Sequence, residues 1–244
     1  MGEGTRAPAF YAARAGMLGD LWTLLHPPYT LWHLSYSVIG ACLAPRVDAY
    51  RLSLTVTAFF LAVGIGAHAL DELKGRPLGT AIPSSVLLVA AALSMAGALW
   101  LGVIGIRWVG GGLVPFIVAG SFVVAAYNLE WFGGRLHTDA AFAAFWGAFP
   151  VLVSYFAQTE RLDAIAFLAA AGAFALSVAQ RALSSPARLL RRRVRGAEGV
   201  LELRSGEVRR LDAGILLAPL ERALRAMSWG LVALAGSLLL QRLG

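Results

Sequence analysis

Seven stretches of the chain contain no Asp, Glu, Lys or Arg: residues 21–45, 52–70, 77–106, 108–129, 140–159, 164–180 and 226–241. A helix needs roughly 20 apolar residues to cross the hydrocarbon of a bilayer, and about 17 at the least. The last stretch is short unless Leu220 to Met227 joins it. Inside lipid, every backbone N–H and C=O must be paired within its own segment or a closed barrel, and runs of this length predict helices. The 244 residues are 58% hydrophobic and 14% charged, where a soluble domain carries roughly 25% charge. The expected fold is therefore all-α: a polytopic membrane helical bundle of about seven spans, built as one membrane domain over residues 1–244.

The charges between the runs predict the topology. If successive loops alternate sides, 16 Lys and Arg residues fall on the side of the N-terminus and 5 on the other. Positive loops stay inside, so the N-terminus is expected in the cytoplasm of a multi-pass cell-membrane protein, with the C-terminus outside. Most of the net charge of +7 comes from that face. Such charge favours anionic lipids or a phosphorylated substrate. Nucleic acid is not expected, since no aromatic residues interleave the basic ones and no binding module is recognisable. The opening MGEGTRAPAF lacks the apolar core of a signal peptide. The single cysteine, Cys42, lies inside a run and offers neither an internal disulfide nor a cysteine-based site.

Several local features carry expectations. Residues 5–20 are weakly amphipathic and read as an interfacial helix. The Pro27–Pro28 pair predicts a first span beginning near Tyr29. Gly64 and Gly66 allow close helix contact. Pro77 ends the second span, and Pro83 opens the third. Pro150, in the middle of a span, frees a carbonyl toward a cavity or a neighbour. Asp139 is expected to cap the fifth span, and the sixth is expected to end near Leu183. Residues 184–218 form a basic cytoplasmic segment, in which the alternation around Ser205–Gly206 predicts a small β-hairpin near 199–211.

The chemistry-bearing stretch is GIGAHALDELKGRPLGTAIP, residues 64–83. His68, Asp71 and Glu72 stand at i, i+3 and i+4 and share one helix face. Ionisable groups at the mouth of a membrane helix are costly unless paired, wetted or liganded. End caps paired with Lys74 or Arg76 are the plain reading. On the same side lie Glu130, Arg135, His137 and Asp139, and His33 sits one turn inside the first span. A metal set of His68, Asp71, Glu72, Glu130 and His137 suits Mg²⁺ when substrate phosphates complete the shell. With the histidines leading, it suits Zn²⁺ or Fe²⁺. Lys74, Arg76, Arg135 and Arg181 are candidates to hold diphosphate oxygens. Tyr127 and Asn128, at a span end beside this mouth, are candidates to orient an acceptor or a metal ligand. Asp71, Glu72 and His68 form the candidate catalytic group.

Residues 20–183 resemble the UbiA superfamily of membrane prenyltransferases, most closely its menaquinone-pathway dihydroxynaphthoate branch. The resemblance rests on LLHPPYTLWHLSYSVIGACLA, on AHALDELKGRPLGT in place of an Asn-Asp-x-x-Asp run followed by Lys-Gly and Arg-Pro-Leu, and on YNLEWFGGRLHTDAAFAAFWGAFPVLVSYFAQT. Asp71 falls on the second acid of the first motif, and His68 on its first aspartate. The second aspartate-rich motif is missing: AQRALSSPARLLRRRV stands at its position. The resemblance implies Mg²⁺-dependent transfer of a polyprenyl group from its diphosphate to a lipophilic acceptor. The residues themselves leave two further readings open. One is a different membrane metalloenzyme or metal-binding protein with a histidine–carboxylate site. The other is a transporter or non-catalytic lipid-binding protein.

Overall fold

The structure is a computed structural model and describes residues 7–14 and 16–244. Its helices are α1 (Met17–Leu24), α2 (Pro27–Cys42), α3 (Ala49–Gly75), α4 (Ser84–Val109), α5 (Gly111–Asn128), α6 (Asp139–Thr159), α7 (Ala164–Arg192) and α8 (Ala213–Leu243). Strands β1 (Glu198–Glu202) and β2 (Val208–Asp212) pair antiparallel, with Val200 opposite Arg210, as the expected hairpin. Among the described residues, six helices, α3 to α8, are long and apolar enough to cross a membrane. This is a polytopic membrane bundle.

The seventh rod, α2, has 16 residues, about 24 Å at 1.5 Å per residue. It is the central post. Trp32 and Tyr36 are each 1% exposed, and the helix packs chiefly on α6 and α8. Gly40 permits the closest approach, since a Cβ there would overlap the Val151 backbone of α6. Gly147 does the same between α6 and Ser177 of α7, and Gly66 sits against Ser94 of α4, 3.0 Å from where its Cβ would be. The outer faces carry exposed apolar side chains such as Leu93, Trp100, Leu168 and Leu240, the surface that lipid covers.

Helix boundaries follow local chemistry and correct several expectations. Pro27 and Pro28 start α2 rather than delaying it, because the first turn needs no N–H donors. The helix ahead of it spans Met17–Leu24, and residues 7–14 are not helical; residues 5, 6 and 15 of the expected interfacial helix lie outside the described residues. α4 runs past Arg107, a favourable charge in a last turn, and stops at Gly110, whose φ of 93° a glycine accepts. Thr138, not Asp139, caps α6 by accepting from Ala141 N–H. α7 continues through Pro186 to Arg192, so residues 184–192 are helix, and α8 reaches back to Ala213, giving the last span 31 residues. Asp48, Asp163 and Asp212 cap α3, α7 and α8 through side-chain oxygens.

Two stretches depart from α-helical winding. Phe60–Ala67 in α3 and Ala143–Ala148 in α6 are π-helical. Both lie toward the bundle end that carries residues 76–83 and 129–138, and π-turns concentrate where a helix serves a site.

Candidate anion-binding chamber

At that end a cavity of about 950 Å³ opens among α2, α3, α5, α6, α7 and α8. All four histidines of the chain, His26, His33, His68 and His137, are on its wall. So are Asp71 and four arginines, Arg181, Arg188, Arg191 and Arg192.

Backbone carbonyls orient three of the histidines. His33 Nδ1 lies 2.7 Å from Trp146 O, His68 Nδ1 3.1 Å from Gly64 O, and His137 Nδ1 3.2 Å from Tyr127 O. A carbonyl only accepts, so Nδ1–H donates in each case and the lone pair resides on Nε2. Two of these carbonyls, Gly64 and Trp146, belong to the π-helical stretches. The Trp146 carbonyl is also the one that Pro150, four residues on and without an N–H, leaves unpaired. The expected freed carbonyl is thus found, and His33 takes it. His68 stacks on His26 with centroids 4.3 Å apart, and His137 stacks on Tyr127 at the same distance.

His26, between Leu25 and the prolines, adopts left-handed angles (φ 47°) and meets the Tyr11 hydroxyl at 2.7 Å. Burial, and next the neighbouring His68, push its imidazole well below its ordinary pKa; burial pushes the Tyr11 hydroxyl up. Both are neutral at physiological pH. Pro8 to Tyr11 close one wall of the chamber. Arg191 donates to Ala7 O (3.2 Å), Arg192 donates to Pro8 O (3.1 Å), and Arg225 lies 4.9 Å over the Phe10 ring.

The charges do not balance. Arg191 forms a two-pronged pair with Glu221, and Arg181 pairs with Asp139 at 2.5 Å. Among the described residues, Arg188 and Arg192 meet no carboxylate, and Asp71 meets no hydrogen-bond donor or cation. Among the described residues, the chamber therefore holds two guanidinium groups without a carboxylate partner beside one carboxylate without a cation. An outer vestibule of about 790 Å³ shares Asp71, His137, Arg181, Arg188 and Arg192 and adds Lys74 and Glu130, which pair at 3.8 Å.

Behind the chamber the wall turns apolar. Trp146 is shared with a cavity of about 340 Å³, which in turn shares Phe59, Ala62, Gly120 and Phe149 with a cavity of about 770 Å³. The latter runs to Trp108 and Arg51 at the far end of the bundle.

The structure thus gathers His33, His68, Asp71, Tyr127, Asn128, His137 and Arg181 on one wall. Lys74 and Glu130 stand at its mouth. Arg135 is exposed on the loop between α5 and α6. Glu72 is fully buried away from the chamber, accepting from Leu78 N–H (3.0 Å), Thr80 N–H (2.9 Å) and the Thr80 hydroxyl (2.9 Å). Arg76 braces the same loop, donating to Ile82 O at 2.5 Å and to Ser84 Oγ at 2.7 Å. Among the described residues, no three His, Cys, Asp or Glu side chains gather closely enough to enclose a metal ion. The sequence reading did not select His26, Arg188, Arg191, Arg192 or Gln180 for this site. The signal was the helical period carried on from Arg181 through Ser184, Arg188 and Arg191.

Compared with protein-family models, with curated proteins and with solved structures, the chain matches none.

Proposed function

We propose that the protein is a divergent UbiA-like prenyltransferase, which takes a polyprenyl diphosphate, or a related lipid phosphate, at the chamber and passes its apolar chain to a lipophilic acceptor in the membrane. The observation that carries this reading is the pair of guanidinium groups, Arg188 and Arg192, that meet no carboxylate among the described residues, with an apolar cavity reached past Trp146. Guanidinium groups bind phosphate oxygens through paired N–H donors. A half-buried cationic wall loses part of its hydration, and an anion is the partner that restores it.

In this reading the diphosphate lies against Arg188 and Arg192, with Arg181 and Lys74 toward the mouth. The apolar chain extends past Trp146. As the carbon–oxygen bond breaks, its electron pair leaves with the diphosphate, whose growing charge the arginines neutralise. The rings of Tyr127, Phe142 and Trp146 flank the carbon end, where positive charge develops. A single free carboxylate, Asp71, suits a Mg²⁺ that keeps phosphate and water ligands; when bound, such an ion supplies further charge neutralisation. Zn²⁺ or Fe²⁺ requires protein donors that converge, and no three do so among the described residues. That same observation favours the second reading, a lipid-phosphate carrier without chemistry. The excess of Lys and Arg at the chamber end supports the reading in which that end and the N-terminus face the cytoplasm and the C-terminus lies outside. There the arginines after α7 meet anionic lipids.

The test is equilibrium binding of radiolabelled geranylgeranyl diphosphate to the protein in nanodiscs, with Mg²⁺ or with chelator. Saturable binding that the chelator weakens, followed by release of diphosphate when lipophilic phenols are added, is the expected result. Binding indifferent to Mg²⁺ and without turnover selects the carrier. Absence of saturable binding removes both readings.

A further inference from the structure

Residues Ala7–Ala13 wall the chamber without forming a helix. Among the described residues, their one internal backbone bond runs from Ala12 N–H to Ala9 O at 3.1 Å. The segment crosses the chamber as a strap, rooted at one end on α1. There Ala13 N–H donates to Thr23 Oγ1 (3.1 Å), and the Trp22 indole N–H donates to Tyr11 O (3.1 Å). α1 is itself held, since Asp20 accepts from Ala81 N–H at 2.9 Å. In the middle, the Phe10 ring packs on the Ala187–Leu217–Leu224 cluster of α7 and α8, with Tyr29 edge-on at 6.2 Å and Arg225 over its face. The Tyr11 hydroxyl meets His26 at 2.7 Å. At the far end, side chains alone hold the strap: Arg191 Nη1 donates to Ala7 O and Arg192 Nε to Pro8 O.

Those two fastenings come from the wall that faces an anion. Arg191 is engaged on both edges, with Nε and Nη2 on Glu221 and Nη1 on Ala7 O. Arg192 lines both the chamber and the vestibule. Its Nε–H is on Pro8 O, so its side-on fork, Nε with Nη2, is closed to an oxyanion while the strap is shut. A carbonyl offers a guanidinium only partial charge. A phosphate oxygen makes a charge-assisted bond roughly twice as strong. The open strap therefore presents more donors to an anion than the shut one, and a ligand shifts a population toward the state that binds it better. A segment with so few backbone bonds is also the part of the wall that opens most readily.

We propose that Ala7–Ala13 is an autoinhibitory strap. The Ala7 and Pro8 carbonyls hold the place of anion oxygens on Arg191 and Arg192. An oxyanion that takes the Arg192 fork releases the free end, while the Thr23 bond keeps the root. The inference rests on the reading that an anion binds Arg188 and Arg192, and it is independent of any chemistry that follows. Linkage makes the effect reciprocal: if the anion opens the strap, the strap lowers affinity for the anion.

The probe is inorganic pyrophosphate, bound to the protein in nanodiscs with chelator present. The wild type is compared with a chain lacking residues 2–11 and with full-length Phe10→Ala. The deletion removes one Glu and one Arg, Glu3 and Arg6, so net charge is unchanged. It is expected to raise pyrophosphate affinity about fivefold or more. Phe10→Ala, which leaves every arginine and carbonyl in place, is expected to raise it by a smaller factor. In the wild type, pyrophosphate is expected to speed hydrogen exchange of the Ala12 amide and its neighbours in residues 8–12 several-fold. Affinity that is equal in all three proteins, or lower without the strap, overturns the inference and leaves the arginine wall standing. So does exchange that pyrophosphate slows. Absence of pyrophosphate binding in every protein overturns both. Should the shortened chain fail to fold, Phe10→Ala and the exchange measurement decide.

Discussion

The two ends of this bundle are made from the same residue types and treat them oppositely. At the end away from the chamber, most polar groups that join elements close on one another, the buried Ser154 hydroxyl excepted. Asp48 caps α3 and its backbone N–H meets Gln158; Arg51 pairs with Glu160 at 3.0 Å and donates to Ala157 O; Tyr155 donates to Asp163 at 2.6 Å. That bond, above all, holds the Asp163 carboxyl below the usual carboxylate range. At the chamber end, Arg188 and Arg192 meet no carboxylate, and Asp71 and His33 Nε2 no partner, among the described residues, and two π-helical stretches supply the carbonyls that orient His33 and His68. A closed set stabilises the fold by itself. An open set in a membrane protein costs free energy until something else completes it. The contrast locates the site more sharply than any single residue does.

Three perturbations break or sharpen this contrast, from the largest effect to the smallest. Arg188→Gln with Arg192→Gln removes the uncompensated charge. Loss of about 100-fold or more in geranylgeranyl diphosphate affinity is expected, with an unchanged or higher melting temperature, because no carboxylate among the described residues loses its partner. A fall in stability with unchanged affinity would show the arginines to be structural. At the other end, Asp48→Ala removes a helix cap and is expected to cost about 1–2 kcal/mol of stability, read by thermal unfolding in detergent, with ligand affinity untouched. The smallest effect is on pH dependence. His26 has a folded pKa below its unfolded value of about 6.5, so the unfolded state binds the proton first as pH falls. The stability it confers is complete above about pH 6.5 and declines from there toward the folded pKa. The drop in melting temperature from pH 7.5 to 5.5 should be smaller in His26→Gln than in the wild type; an equal drop would place the sensitivity elsewhere.

Uncharged runs made most of the bundle legible, whereas the one cap expected from the sequence, Asp139, gave way to Thr138 and the three aspartate caps came from the structure. Asp48, Asp163 and Asp212 open their helices, and Pro83 precedes α4. Charge misled where it sits inside a helix: Arg107 marked a boundary three residues before Gly110, and the arginines after Pro186 read as a segment outside the span although α7 carries them onto the chamber wall. The HxxDE stripe predicted one shared face, yet Glu72 went into bracing the following loop because Thr80 and Leu78 present three donors to it. Which acids face a cavity depends on what the next loop offers them, and spacing does not report that. His26 carried the weakest signal, a histidine just ahead of two prolines, and only the return of Tyr11 and the π-turned end of α3 give it neighbours.

The Trp146–His33 bond also bears on how the protein is made. It joins residues 113 positions apart, and α2, with buried His33, Ser35, Tyr36 and Ser37, leaves the ribosome before the helices that cover it. α6 supplies the carbonyl for His33, and α8, the last helix, covers another side of α2 and returns Arg242 to Cys42 O at 3.0 Å. Until those helices are synthesised, His33, Ser35, Tyr36 and Ser37 stand against lipid or the insertion machinery. α2 is thus made before the helices that complete it, and nascent chains ending before Trp146 hold it without the partner of its histidine.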